Sequence, residues 1–358
     1  MKCSGYPFCI WIHCMLYGRI RLIEQSEMKG ERMMDFYCSA IPDFLVPFLN
    51  TKPMLRLRNV GMNCGCEYTN FERFRHLPEY SRYQHSLGAA LIVWNFTGDR
   101  AQALSALFHD ISTPAFAHSV DFLHSDYLKQ ESTELDTEKM IRESGEICSL
   151  LKEIGITVAQ VADYHQYPIA DNDSPRLSSD RLEYSLGNMF RYGFQPYDTA
   201  KAYYEDLIVG QGEDGQQELC FRHQETAVRF AQDALKCSRV YVSDEDRYSM
   251  QILAELLGHA ISRGILSEED LMRTEPEVIG RLENDPEMSD EWKRFRNLHR
   301  MVVDSSAPEE RKRIIFAKKR YIDPMVEGIG RVSQISADYR RNLDDFLQTD
   351  HGCRICGI

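Results

Sequence analysis

The sequence lacks the local signatures of several common enzyme classes. It contains no glycine-rich phosphate-binding loop, no serine-centred nucleophile elbow and no internal repeat, which argues against P-loop nucleotide hydrolases, α/β-hydrolases and solenoid proteins. Alternation of apolar and polar residues is also scarce. The clearest case, residues 218–221 after the turn at 210–215, predicts a small β-hairpin at most. We therefore do not expect a β-rich fold.

Long apolar runs and an excess of positive charge are missing as well. The apolar segment at residues 8–17 is too short to cross a bilayer, so no membrane partner is expected. Forty-two Lys and Arg residues oppose 55 Asp and Glu residues, which gives a formal charge of −13. A field of that sign repels phosphate backbones, and the basic residues at 294–313 supply only part of a basic face. We expect no nucleic-acid partner, and a small anionic substrate would need a metal ion or a few arginines.

The cysteines show no disulfide framework. The eleven cysteines are scattered, with close pairs only at Cys64/Cys66 and Cys353/Cys356, along a chain that is much longer than the small domains that depend on disulfides. A reducing, cytoplasmic location is therefore expected. The beginning of the chain resembles a signal peptide, with a basic start before the apolar run, but no small-residue cleavage site follows. Because Met33 or Met34 is an alternative start, we interpret residues 1–33 as a disordered or wrongly included extension.

Helical periodicity dominates the rest of the sequence. Apolar residues recur at helical spacing over residues 81–97 and 100–111. The same pattern predicts further helices at residues 133–144, 177–192, 224–238 and 249–263. Ser267, which three acidic residues follow, predicts another helix start. The predicted fold class is all-α.

The chain is predicted to be one integrated unit with an extension. Residues 34–240 form the expected core, and acidic polar residues near 240–248 separate it from a C-terminal helical region at 241–346. Residues 347–358 are expected to be a tail. The basic residues of the C-terminal region are expected to pair with acidic helices or with a subunit partner in a homo-oligomer.

Four residues in or beside these helices could form a metal site. They are His85, His109, Asp110 and Asp180. A helical bundle can project such side chains inward from different helices, so that imidazoles and carboxylates converge. Two nitrogen and two oxygen ligands suit Mn, Fe, Co, Ni or Zn, and suit Mg less well. A metal in such a site acidifies a bound water and offsets charge on a phosphoryl group.

The sequence around these residues resembles a known family. The motifs are RYQHSLG at 82–88, ALFHDISTPAFAHSVD at 106–121 and SDRLEY at 179–184. In this order they resemble the HD superfamily of metal-dependent phosphohydrolases, and within it the deoxynucleoside triphosphate triphosphohydrolases. The similarity runs from near residue 48 to at least residue 192. It implies an HD-domain helical bundle with a C-terminal helical extension.

The resemblance implies roles for individual residues at the metal. The implied ligands are His85, His109, Asp110 and Asp180. Asp110 can either bind the metal directly or bridge the catalytic water. Arg82 matches an arginine that contacts substrate phosphate, for which a guanidinium fork is suited. A salt bridge from Arg82 to Glu79 is the alternative.

Further roles are implied around the substrate. His118 could donate a proton to the leaving oxygen while Asp121 orients it, or His118 could only brace its loop. Tyr184 and Glu183 match an aromatic and an acidic residue that help to line the pocket. His165 is expected to contact substrate at the pocket rim, with capping of a helix end as the alternative.

The sequence departs from the triphosphohydrolase pattern at two positions. Thr113 and Thr133 occupy places where those enzymes have histidines, and threonine cannot serve as a cation or proton donor at neutral pH. The histidines between the HD doublet and Asp180 do not reproduce a two-metal pattern, so a single ion is expected. The metal site is therefore predicted to be intact, while removal of a whole triphosphate is in doubt.

The predicted function is metal-dependent hydrolysis of a nucleotide phosphate ester or anhydride by activated water. A deoxynucleoside triphosphate is the first substrate to try, and a monophosphate or cyclic nucleotide is the next. The alternative, motivated by Thr113 and Thr133, is a nucleotide-binding regulator with little or no turnover.

Overall fold

The computed structural model describes residues 36–126, 128, 136–302, 312–316, 318–350 and 354–358. The predictions for residues 1–33 and for Thr133 lie outside this part of the chain, and so does the start of the helix predicted at 133–144. No helix within the described ranges has both the length and the apolar character needed to cross a bilayer.

The fold is mainly α-helical. The helices of the described residues up to 240 are α1 (Val46–Leu49), α2 (Lys52–Arg56), α3 (Arg82–Thr97), α4 (Arg100–Phe108), α5 (His118–Leu123), α6 (Thr137–Glu143), α7 (Gly145–Glu153), α8 (Ser179–Arg191), α9 (Tyr197–Glu205) and α10 (Gln224–Tyr241). Those that follow are α11 (Asp244–Ser262), α12 (Glu275–Asn284), α13 (Pro286–Arg296), α14 (Val332–Ile335) and α15 (Ala337–Gln348). Short 3-10 helices lie at Leu57–Asn59, Cys66–Tyr68, Val158–Gln160, Tyr164–Gln166 and Glu268–Met272.

Most of the predicted helices are confirmed, with small shifts at their ends. Helices α3, α4, α8 and α10 form where the apolar periodicity places them. Helix α11 begins at Asp244, five residues before the predicted start at 249. Ser267 is an N-cap as expected, because its hydroxyl accepts the N–H of Asp270 at 3.3 Å, but the helix that follows is a 3-10 helix.

Two small sheets accompany the helices, so the prediction of a hairpin at most is wrong. Their strands are β1 (Leu207–Gln211), β2 (Gln217–Phe221), β3 (Met301–Val302), β4 (Arg313–Ile314), β5 (Met325–Val326), β6 (Gly330–Arg331) and β7 (Arg354–Gly357). One sheet has the order β1-β2-β5-β6 and the other the order β3-β7-β4. The predicted hairpin exists as the antiparallel pair of β1 and β2.

The additional strands are too short and too non-local in their pairing to be predicted from the sequence. Strands β3 to β6 have two residues each, too few to show an alternating pattern. Their pairing is also non-local. Cys220 of β2, for example, pairs in parallel with Met325 of β5, far along the chain.

The core positions the three helices that carry the expected ligands. Helix α3 is buried along most of its length and packs against both α4 and α8. One group of buried apolar residues surrounds these helices together with α10. A second group joins α5 to helices α11, α12 and α13. Because α3 is enclosed by its neighbours, polar residues on it must find partners inside the protein.

Candidate functional site

Helix α3 brings His85 and Arg82 into the protein in its first turn. Ser81 caps the helix with a capping box, in which its hydroxyl accepts the N–H of Gln84 at 3.3 Å and its own N–H donates to Gln84 Oε1 at 3.0 Å. The capping box satisfies backbone donors that the helix leaves unpaired and fixes its starting point. His85, one turn further, is only 1% exposed.

Two other helix ends supply the remaining histidine and carboxylate. His109 directly follows α4, whose other end is capped by Asp99. Asp180 lies in the first turn of α8, where the Ser178 hydroxyl accepts the N–H of Arg181 at 3.4 Å. Residues that are distant in the sequence are thus brought together by the ends of packed helices.

His85, His109 and Asp180 form a close cluster around one point. The Nε2 atoms of the two histidines are 3.1 Å apart. Asp180 Oδ1 lies 3.0 Å from Nε2 of His85 and 3.5 Å from Nε2 of His109. Asp110 Oδ2 approaches the same nitrogens at 3.8 Å and 3.5 Å. The structure therefore brings together all four side chains that the sequence singles out.

The hydrogen bonds behind the two imidazoles fix their tautomers. Nδ1 of His85 lies 2.5 Å from Glu183 Oε2, and Nδ1 of His109 lies 2.7 Å from the carbonyl oxygen of Ala106. Because both oxygens only accept, each Nδ1 carries its proton. The two Nε2 atoms are then the nitrogens that are left for a metal, and they face each other and the carboxylates.

The site has a negative potential that favours a cation. Burial lowers the pKa of His85, but hydrogen bonds with Asp180 and Glu183 outweigh it and raise that pKa to about 10. The pKa of His109 is raised as well, because Asp110 and Asp180 outweigh burial. Burial alone would raise the pKa of Asp180, yet the two imidazoles hold it well below its usual range.

This donor set fits a divalent metal ion. Two imidazole nitrogens and carboxylate oxygens converge toward one point, and a metal ion there would replace the proton that the raised pKa of His85 indicates. His85, His109 and Asp180 could each offer one ligand atom, all within 4.8 Å of one another. Imidazole ligands favour a transition metal such as Mn, Fe, Co, Ni or Zn.

Asp110 is fixed by Arg82 and Thr113. Nη1 of Arg82 donates to the two carboxylate oxygens of Asp110 at 3.1 and 2.9 Å, and the Thr113 hydroxyl donates at 2.8 Å. The carboxylate partner of Arg82 is thus Asp110 and not Glu79. Burial acts in the opposite direction, but Arg82 and the nearby imidazoles hold the pKa of Asp110 well below its usual range. Nε of Arg82 is buried without a hydrogen-bond partner among the described residues.

Glu183 lies behind His85 instead of lining the pocket. Its carboxylate accepts from Nδ1 of His85 and from the Tyr80 hydroxyl. A Cβ added at Gly88 would stand 2.6 Å from the Glu183 side chain, so the glycine leaves the room that this carboxylate occupies. The position indicates a residue that orients a ligand, in place of the expected contact with substrate.

His118 and Asp121 form a pair next to the cluster. Nδ1 of His118 donates to Asp121 Oδ2 at 2.7 Å, and its Nε2 lies 3.3 Å from Nη2 of Arg320. Burial lowers the pKa of His118 to about 4, with help from Arg320 and Arg82 and against the opposing effect of Asp121. His118 is therefore neutral at pH 7 in the free protein. Asp121 is fully buried beneath it.

The loop before His118 has an unusual backbone. Phe116 and Ala117 have φ angles of 64° and 43°, in the left-handed region that side chains disfavour. Glu275 of α12 holds this loop, because its Oε1 accepts the N–H of Phe116 at 3.2 Å. The same carboxylate group accepts from the Gly61 N–H at 2.8 Å and the Tyr68 hydroxyl at 2.7 Å.

The other expected residues lie farther from the cluster. The His165 side chain is 56% exposed at the cavity rim, and its Nδ1 is 3.0 Å from Asp163. Tyr184 lines the cavity with its ring centroid 6.4 Å from that of His85. His124, another histidine between the HD doublet and Asp180, lies at the surface with its Nε2 3.2 Å from Glu268 Oε2.

A cavity of about 490 Å³ opens onto these residues. Its polar wall contains Arg82, His85, His109, Asp110, His118, Asp171, Asp180 and Arg181. Its aromatic wall contains Tyr164, Tyr184, Tyr192, Tyr241 and Tyr321, and basic residues line it at Lys318, Lys319 and Arg320. Residues on both sides of position 240 therefore contribute to one cavity.

Sequence reasoning missed the contributions from the C-terminal half. Arg320 sits in an irregular segment between β4 and β5, and no motif marks it. Tyr241 and Asp246 lie in the stretch near residues 240–248, whose acidic polar residues predict a junction between the core and the C-terminal region. Asp246 lines the cavity, and burial raises its pKa to about 8. No local sequence signal could have identified these residues.

Comparisons with known proteins connect the site to phosphohydrolases. No family model matches the chain. Over 193 residues the chain is 24% identical to the metal-dependent phosphohydrolase cns2 of Cordyceps militaris, which covers 54% of this chain and 52% of that protein. It is 26% identical over 212 residues to the uncharacterized protein YdhJ of Bacillus subtilis, covering 56% of this chain and 60% of that protein. The chain thus spans about half of the length of these curated relatives.

A solved structure supports the fold alone. A hypothetical protein from Aquifex aeolicus, known from a crystal structure at 2.0 Å resolution, superposes with a TM-score of 0.57 at 16% identity. The match covers 88% of this chain and 92% of that one.

The distant phosphohydrolase similarity and the His/His/Asp cluster together support the general class of metal-dependent phosphohydrolases. Neither curated relative is named a deoxynucleoside triphosphate triphosphohydrolase, so that expectation stays a prediction.

Proposed function

We propose that the protein is an HD-type metal-dependent phosphohydrolase that acts on a nucleotide or a related phosphate ester. The observation that carries the proposal is the convergence of His85 Nε2, His109 Nε2 and Asp180 Oδ1 within 3.5 Å of one another. Asp110 completes the proposed ligand set. When bound, the metal would supply a water of lowered pKa and neutralise charge on the phosphoryl group.

The residues around the ligands would keep them in the productive state. Glu183 holds the proton on Nδ1 of His85, so that Nε2 is the nitrogen that would give up its proton when a metal binds. The Ala106 carbonyl does the same for His109. Arg82 and Thr113 keep Asp110 ionised and fixed in orientation. Thr113, where the triphosphohydrolases have a histidine, would therefore support a ligand and would not carry a proton.

His118 is the proposed proton donor to the leaving oxygen. In the free protein it is neutral, and Nε2 carries its lone pair toward Arg320. The negative charge of a bound phosphate raises the pKa of a neighbouring imidazole. His118 would then take up a proton at Nε2 while Asp121 holds Nδ1, and Nε2 could donate that proton as the ester bond breaks.

The cavity supports a nucleotide as the substrate class. Its volume of about 490 Å³ is in the range of small-ligand sites. Several tyrosines line it, and aromatic rings offer stacking surfaces for a base. A deoxynucleoside triphosphate remains the first candidate because of the sequence resemblance. A nucleoside monophosphate or cyclic nucleotide follows, because Thr113 replaces a histidine.

The decisive experiment screens metal-loaded protein against these substrates. We expect the purified protein to contain a transition metal and, after loading with Mn²⁺, to release phosphate, pyrophosphate or triphosphate from one of the nucleotide classes. The product identifies the bond that is cleaved. Absence of hydrolysis with metal bound would contradict the proposal. Tight nucleotide binding without product release, measured by calorimetry, would instead support the regulator interpretation.

A further inference from the structure

A short segment of the C-terminal region forms part of the cavity wall. Residues 318–321 line the cavity, although they lie far along the chain from every proposed ligand. Within this segment Nη2 of Arg320 is 3.3 Å from Nε2 of His118. A guanidinium only donates, so Nε2 accepts this contact while Nδ1 donates to Asp121. Arg320 thus extends the pair of His118 and Asp121 toward the cavity.

Helix α15 anchors this segment through a side chain and a backbone carbonyl. Nζ of Lys319 donates to the carbonyl oxygens of Leu347 and Thr349, both at 2.6 Å, at the end of α15. On the other side of Arg320, the Tyr339 hydroxyl of α15 donates to the carbonyl oxygen of Ile322 at 2.5 Å. Lys319 and Ile322, on the two sides of Arg320, are therefore held by α15 and its C-terminal end, and less conformational freedom is lost when the guanidinium binds a ligand.

The electrostatic surroundings give this wall the opposite sign to the metal cluster. Arg320 and Arg82 both lower the pKa of His118, and Arg320 opposes the burial that raises the pKa of Tyr184 to about 12. Arg320 therefore lies within electrostatic reach of both His118 and Tyr184. A ligand with several anionic oxygens could place one near the metal cluster and another against this positive wall.

We infer that Arg320 is a substrate-binding residue, whose guanidinium contacts phosphate oxygens of the substrate beside His118. The inference rests on the proposed function for the identity of the ligand. The planar fork of arginine can bind two phosphate oxygens at once, and lysine offers only a point charge. Substrate held in this way would bridge the helical core and the C-terminal region.

The test measures binding of a simple anion as well as turnover. Wild-type protein, Arg320→Gln and Arg320→Lys are loaded with Mn²⁺ and titrated with inorganic phosphate and with tripolyphosphate by calorimetry. We expect the dissociation constant of at least one of these anions to rise roughly ten- to a hundredfold in Arg320→Gln, and less in Arg320→Lys. If the enzyme is active, KM should rise more than kcat falls. Metal content should stay at the wild-type level.

The control variant is Arg340→Gln on the exposed face of α15, which removes the same charge from the same region outside the cavity. It should bind both anions as the wild type does. Equal anion affinity in Arg320→Gln and wild type, or no anion binding by the wild type, would overturn the inference even if hydrolysis is found. Arginine-dependent anion binding without hydrolysis of any ester would support the inference and contradict the proposed function. If Arg320→Gln does not fold, Arg320→Lys decides: we expect weaker binding of at least one anion because the guanidinium fork is lost, and wild-type affinity for both anions would overturn the inference.

Discussion

At the scale of single residues, three of the proposed ligands, His85, His109 and Asp110, are held by hydrogen bonds with groups outside the ligand set. Glu183 and the Ala106 carbonyl set the tautomers of the two imidazoles. Thr113 and Arg82 both donate hydrogen bonds to the carboxylate of Asp110. Loss of an inner ligand and loss of such a partner should therefore have effects of different size, and each can be tested.

The first prediction concerns an inner ligand. His109→Ala should abolish stoichiometric metal binding, because it removes one of the nitrogens that face the site. The loss of metal affinity should exceed the roughly 10–100-fold that removal of an outer partner causes. Elemental analysis and metal titration measure it. His223→Ala, whose side chain is 74% exposed, is the control and should bind metal normally. Normal metal content in His109→Ala would refute the assigned ligand set.

The second prediction concerns an outer partner. Glu183→Gln keeps the shape of the side chain but removes the charge that faces Nδ1 of His85. Metal affinity should fall about 10–100-fold, while the metal can still bind at high concentration. The same titration measures this, with the exposed Glu153→Gln as the control. An unchanged affinity would show that Glu183 does not orient the ligand.

At the scale of elements, capped helix ends determine where the ligands stand. Arg82 and His85 belong to the first turns of α3, so the start of that helix sets both positions. Asp180 depends in the same way on the cap of α8. A weakened cap at such a helix should therefore affect both the folding stability and the metal site.

The third prediction separates these two effects. Ser81→Ala removes the hydroxyl of the capping box and should lower the free energy of unfolding by about 1 kcal/mol. Ser336→Ala removes the equivalent cap of α15, where the hydroxyl accepts the N–H of Tyr339 at 3.3 Å. Urea unfolding should show similar losses in both variants. Metal titration should show weaker binding in Ser81→Ala alone, and equal affinities would contradict a link between this cap and the site.

The sequence predicted the parts of the site that local motifs mark. The ligand residues stand next to helix ends whose periodicity and spacing are visible in short windows, and the residues around them carry the HD resemblance. Arg320 and the pairing of β2 with β5 depend on contacts between distant parts of the chain. Such contacts leave no trace in a window of ten or fifteen residues. The position of Glu183 behind His85 was missed because neighbours of a ligand in sequence can point to either side of it.

At the scale of the whole molecule, ionisation of buried groups connects the site to the stability of the fold. His118 has a pKa of about 4 in the folded protein, against about 6.5 in an unfolded chain. The unfolded state therefore binds more protons between these values. The stability that neutral His118 contributes is present above pH 6.5 and is lost as the pH falls toward 4.

The fourth prediction follows from that difference. Between pH 7 and pH 4.5 the wild-type protein should lose about 1–3 kcal/mol more unfolding free energy than His118→Gln, which has no titrating imidazole. Denaturant unfolding at several pH values, without added metal, measures both losses. The carboxylates of the site titrate in both proteins, so the comparison isolates His118. Parallel pH profiles would contradict the depressed pKa.

The left-handed backbone at Phe116 and Ala117 has a consequence for how this protein tolerates change. Each such residue costs on the order of 1–3 kcal/mol, and the conformation persists because contacts such as the one from Glu275 hold it in place. Glu275 at the start of α12 thus holds the strained loop that leads to His118, the proposed acid. Substitutions that weaken these contacts would let the loop relax and would turn the imidazole of His118 away. Thermal stability and turnover should therefore decline together, even for substitutions at positions that do not contact the substrate.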